Sequence, residues 1–241
     1  MIRTLKALSA LLAYPDAELQ AAAPDIAGAL RAEGLLDATH IAALEPLLGQ
    51  LAQDDLFDLQ ERFVLLFDRS RTLSLNLFEH VHGESRARGG AMVDLLETYR
   101  AGGFEPIGPE LPDHLPMLLE FLAHRPLAEA RDMLGDAVHI FVALAERLER
   151  RGGSPYAPVF RALEVLAASP AVAELLAEIV ALPDDDPEDL DALDAVWEEA
   201  AVTFGPDPNA GCPTGRDLLA RMGPGPAPEW AEPNASHGGR T

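Results

Sequence analysis

Apolar residues recur along this chain at spacings of three and four with polar residues between them, the period of helices that bury one face. Leu5, Leu8 and Leu12 form the first stripe, which stops at Tyr14-Pro15 because the residue before a proline is biased out of the helical region. Residues 16 to 31 continue with Pro24 and Gly28 as the only breakers, predicting one kinked helix or two short ones. Asp37 opens a helix through Leu44, Leu47, Leu48 and Leu51. Leu56, Leu59, Phe63 and Phe67 share a face of the next, which should end near Asp68. Thr72 is placed to cap a short helix through Leu73, Leu75, Leu77 and Phe78, whose few polar positions, Ser74 and Asn76, predict burial on several sides. Ser85 begins a helix striped by Met92, Leu95, Leu96 and Tyr99 and ended by Gly102-Gly103. The loop from Phe104 to Pro112 follows, with three prolines and a glycine.

Asp113 is a good N-cap, and Pro116 falls in the first turn, where its missing N–H removes a donor that had no intrahelical partner. Leu115, Leu118, Leu119 and Leu122 then face inward, leaving His114 and Glu120 at the edges of the stripe. From Ala128 to Arg151 the pattern of Met133, Ala137, Ile140, Phe141, Leu144 and Leu148 predicts a long core helix. Ser154-Pro155 and Ser169-Pro170 each place a hydroxyl before proline, predicting two short helices. After the linker at residues 183–187, Asp186 should cap a last helix carrying Leu190, Leu193, Val196, Trp197 and Ala201. Strand-period alternation of useful length is missing. The expected architecture is all-α: a bundle-like domain over residues 1–204 with about nine to eleven helices, and a Gly/Pro-rich flexible tail over 205–241.

Composition narrows the partners. A chain of 241 residues that is 48% hydrophobic buries a sizeable core and excludes global disorder. No run reaches the ~20 apolar residues a bilayer requires. The N-terminal Arg3, Lys6 and apolar run lack a small-residue cleavage site and fit an amphipathic helix, so the expectation is a soluble protein that stays where it is made. The single cysteine, Cys212, has no internal partner and no ligand spacing, which fits a cytoplasmic setting. A net charge of −22 argues against nucleic acid and stable membrane association. It suits a basic partner, or simply keeps the protein dissolved.

Chemistry-bearing residues concentrate between Phe63 and Gly89. In extended backbone His80, His82 and Glu84 would share one side and could hold zinc or iron, whereas a hydrogen-bonded turn between helices needs no metal. Asp113 and His114 resemble an acid–base pair, although Asp113 already has a cap to make. Arg69, Arg71, Arg86 and Arg88 are a basic island that can pair with Asp68, Glu79 and Glu84 or meet an anionic partner. The chain contains no phosphate loop, nucleophile elbow or CxxC.

The same stretch carries a resemblance. FVLLFDRSRTLSLNLFEHVHGESRARGGAMVDLL, residues 63–96, resembles the central motif of the NarJ family, assembly chaperones of the molybdenum-containing respiratory nitrate reductase. LSALLAYPD, residues 8–16, is similar to that family's N-terminal signature, and ELPDHLPMLLEFLA, residues 110–123, to its second internal motif, a looser form of which runs through the wider TorD-like chaperones. The resemblance implies a cytoplasmic, non-catalytic chaperone with a TorD-like helical fold and no cofactor or metal of its own. Its implied partner is the apo catalytic subunit of nitrate reductase, bound partly through that subunit's N-terminal segment, with molybdenum cofactor delivery proteins as further partners. It would hold this client for cofactor insertion before membrane attachment. Apolar grooves in an acidic helical domain agree in kind, since they suit a basic amphipathic helix. Expected client contacts are Asp68, Arg69, Glu79, His80, His82, Glu84, Arg86, Arg88, His114 and Glu120. Phe63, Phe67, Phe78, Gly83, Pro112, Asp113 and Pro116 are expected to build the framework. The rival readings are a helical metal-dependent hydrolase using His80, His82, Glu84 and His114, and a helical scaffold with no single client.

Overall fold

A computed structural model describes residues 1–82, 86–167, 169–182 and 184, without the side chains of His82, Arg86 and Ala87. Among these residues the protein is helical, with ten α-helices and one isolated bridge between Asn76 and His114. Gly83, Glu84, the predicted helix after Asp186 and the predicted tail lie outside the described residues.

Helices α1 (Arg3–Leu11), α2 (Ala17–Glu33) and α3 (Ala38–Gln53) start the chain. Asp16 and Asp37 cap α2 and α3, their carboxylates accepting from Leu19 N at 2.7 Å and His40 N at 2.9 Å. Pro24 does not split α2, which runs through it and ends at Gly34 with φ 68°, a conformation open to glycine. Next, α4 (Leu56–Phe63) widens into a π-helical turn at Val64–Asp68, followed by a 3-10 turn at Arg71–Leu73. The rest is α5 (Leu77–His82), α6 (Arg86–Ala101), α7 (Leu115–Ala123), α8 (Leu127–Arg150), α9 (Ala157–Ala167) and α10 (Ala173–Ala181).

Among the described residues the core is built around α8, the long core helix its pattern predicts, although from Ala137 to Ala145 it is buried on every side and not on one face alone. Helix α9 lies along it, α1 packs on α7, and α2 on α3. Burying Leu5, Leu8 and Leu11 seats α1 in the common core. No helix among the described residues is long and apolar enough to cross a membrane.

Three expected starts move. The helix assigned to Thr72 is a 3-10 turn, and α5 begins only at Leu77, because Leu75 and Leu77 are engaged with the chain around Asp113. The predicted starts at Pro155 and Pro170 come at Ala157 and Ala173. Ser169 packs over Gly135 of α8, close enough that an added Cβ there would stand 3.0 Å from its Oγ, and α10 starts without a side-chain cap.

Candidate functional site

The two internal motif segments lie side by side. Leu115 N donates to Leu75 O at 2.8 Å, Leu77 N to Asp113 O at 3.1 Å, and Phe78 N to Asp113 Oδ2 at 2.9 Å. Asp113 therefore caps α5, far away in sequence, and not α7. The predicted cap of its own helix is corrected: α7 starts after His114 with no side-chain cap. Asp113 is fully buried, and its Oδ1 has no hydrogen-bond partner among the described residues. Burial pushes its carboxyl above the usual range, opposed by the Phe78 N–H and by Arg88. Pro112 is held in the same clip, accepting from the Tyr99 hydroxyl at 2.7 Å.

Around this clip the first segment turns inward. Phe63 and Phe67 stack edgewise with Tyr156 in the core, with ring centroids 6.2 and 5.1 Å away. His80 is buried, with Nε2 2.8 Å from Ser74 O. That oxygen can only accept, so the Nε2 proton is committed to it. Desolvation holds the His80 pKa below its ordinary value, and nearby Arg147 and His139 push the same way against Ser74 and Glu79. Glu79 pairs with Arg88 at 3.0 Å, half-buried. The extended triad is also corrected. Residues 77–82 are helical, so the extended backbone on which that reading rested is not found there. Among the described residues no group of three or more His, Cys, Asp or Glu could hold a metal.

The second segment presents its polar edge outward. Between α1, the loop 104–112 and α7 runs a groove of about 550 Å³. Ala10 of α1 and Ala13 just beyond it give a shallow wall, Phe104 and Met117 an apolar floor, and His114 and Glu120 the motif edge. Ser9 ties the two helices beneath it, its hydroxyl donating to Pro116 O at 2.7 Å. Glu105, Glu110 and Glu120 make the rim acidic, and Lys6 is paired with Glu120. Desolvation lowers the His114 pKa, opposed by Glu110, Asp113 and Asp68. The Asp68 carboxyl is raised by desolvation and then by Glu110, although its side chain is exposed.

The expected client contacts thus divide. His114 and Glu120 line the groove, and Asp68 faces the same charges. Arg69 lines a shallow hollow with Tyr14 and Phe57. Glu79, His80 and Arg88 belong to the clip's surroundings, while His82, Glu84 and Arg86 have no described side chains. Sequence reasoning missed Lys6, Glu105, Ile107, Glu110 and Met117. A signal was present in the loop, where two glutamates and an isoleucine sit among prolines next to a motif. A second apolar groove of about 470 Å³ lies between α1 and α2 and carries no residue of the two internal motifs.

Residues 15–162 match the family model of the nitrate reductase delta subunit. The chain is 44% identical over 206 residues to NarJ of Escherichia coli (strain K12), a nitrate reductase molybdenum cofactor assembly chaperone, covering 85% of this chain and 86% of NarJ. It is 36% identical over 241 residues to NarW of the same organism, covering 98% and 100% of the two chains. A candidate redox enzyme maturation protein from Archaeoglobus fulgidus shares the fold, with a TM-score of 0.50, 24% identity, and coverage of 68% of this chain and 91% of that one.

Proposed function

The chain belongs to the NarJ chaperones of the nitrate reductase delta subunit family, and from that premise we propose that it binds the apo catalytic subunit of respiratory nitrate reductase through that subunit's N-terminal segment and keeps it competent for molybdenum cofactor insertion before membrane attachment. The family is one of assembly chaperones and not of catalysts. In this reading the segment docks as a basic amphipathic helix in the α1–α7 groove. One observation supports that site: an apolar floor at Phe104 and Met117 bordered by Glu105, Glu110 and Glu120, with the lining cation Lys6 already paired. Apolar anchors at helical spacing would enter the groove while the carboxylates attract the flanking cations.

Calorimetry with a synthetic peptide matching the client's N-terminus, at low and high salt, tests this. Binding should weaken with salt, because charge attraction is screened over ~8–10 Å near physiological ionic strength. It should not vanish, because salt leaves the apolar contribution in place. No binding at micromolar peptide in either condition would mean that recognition lies in the folded body of the client.

A further inference from the structure

The outer wall of the groove is a loop with two exposed aliphatic side chains, Ile107 and Leu111, of which Ile107 lines the groove. Ile107 is 94% exposed, yet it lines the groove together with Phe104 and Met117. One exposed isoleucine is unremarkable on a protein surface. Its mounting is not. The loop is pinned at one end by Phe104, whose ring packs on Tyr99 and Phe121 at 5.7 and 5.8 Å, and at the other by the Tyr99 hydroxyl on Pro112 O. Gly102, at the end of α6, comes so close to Phe121 that an added Cβ would lie 2.6 Å from its ring, which seats the loop's start tightly. Between these anchors Pro106 and Pro109 fix their own backbone angles, and Gly108, with φ 128°, makes a turn that side-chain-bearing residues rarely adopt. An apolar residue held out in water on a stiffened loop has already lost much of the conformational freedom that binding would otherwise remove.

We propose that Ile107 is a client-contact residue: it packs onto the apolar face of the bound segment from the loop side, opposite Ala10 and Ala13, while Glu105 and Glu110 on the same loop meet that segment's cations. The inference rests on the groove reading above and adds to it the wall that grips. The occupant is a cationic amphipathic helix of the client. Glu120 is paired with Lys6 and the exposed Glu105 with Arg100 at 3.6 Å, so three rim carboxylates meet two cations; a purely apolar segment would not answer the excess negative charge at Glu110, and a polar one would leave Phe104, Ile107 and Met117 without a partner.

The test is calorimetry of the full chain and two variants, Ile107→Ser and Ile107→Leu, against the client N-terminal peptide, with a thermal melt of each. Ile107→Ser should weaken binding about tenfold, the loss expected for most of one apolar side chain's burial. Ile107→Leu should stay within about twofold of the unsubstituted chain, because hydrophobic swaps of equal volume are tolerated. All three should melt together, since Ile107 is exposed in the free protein. Unchanged affinity in Ile107→Ser, with binding by the unsubstituted chain, overturns this inference and leaves the groove reading standing. Absence of binding by the unsubstituted chain overturns both.

Discussion

The two internal motifs are paired in space but differ in what they turn toward solvent. In the first, Phe63, Phe67, Leu73, Leu75, Leu77 and His80 are buried, and Glu79 is tied to Arg88. In the second, the leucines of α7 are equally buried, but His114 and Glu120 stay at the edge and line a groove. Density of chemistry-bearing residues in a sequence is therefore a poor guide to which side chains line a groove. Two imidazoles, two glutamates and four arginines drew attention to residues 69–88, yet the fold uses His80, Glu79 and Arg88 internally. The groove takes its character from the quieter segment and from a proline-rich loop.

The largest effect that separates the two motifs should be Leu77→Asp. Leu77 is 4% exposed, so an unpaired carboxylate there should cost about 3 kcal/mol or more. Phe78→Asp should cost less, because Phe78 is only half-buried. Thermal melts measure both, and an unchanged melt for Leu77→Asp would move the first motif from framework to surface.

Acid should strain the same framework. His80 is held neutral, with its folded pKa below 6.5, so below that pH the unfolded chain binds more protons and stability falls as pH drops. Stability should therefore fall between pH 7 and 5.5, and His114 and His139, lowered by the same burial, act in the same direction. In His80→Gln the amide can still donate to Ser74 O, and the loss of stability over that range should be shallower. Urea unfolding at several pH values provides the check.

The clip between the motifs comes next in size. Asp113→Ala removes the cap on α5 and should cost about 1 kcal/mol at neutral pH. Asp113→Asn should cost less, because its amide oxygen can still accept from Phe78 N and a buried charge with one unpartnered oxygen is gone. If the alanine variant loses helix at α7 and not α5, as hydrogen exchange would reveal, the clip is misread.

How far the sequence went can be told from these residues. The period of α8, the helix start at Asp37 and the core stripe of α7 are all local, so they were legible. Asp113 was not, because the partner of its carboxylate is 35 positions away and a cap in trans has the same sequence signature as a cap in cis. His80 and His82 were read in extended backbone, and the contacts that bury Leu77 made the segment helical instead. The groove was hidden for another reason. It is assembled from residues of α1, a loop and α7, and no window of sequence contains all three.

The smallest effects should come from the rim. Glu105→Gln with Glu110→Gln should leave the melt unchanged and weaken the client peptide about three- to tenfold at low salt, with the difference shrinking at high salt. Glu79→Gln, in the first motif, should leave peptide affinity unchanged while loosening Arg88. A reversal of these two results would exchange the roles of the two motifs.

Hydrogen exchange on the full chain with and without the client N-terminal peptide tests the groove assignment most directly. The account predicts slowed exchange at the end of α1, through the loop 104–112 and into the first turn of α7, with α5 and α6 unchanged. Protection centred on residues 77–101, with none in the loop, would contradict it.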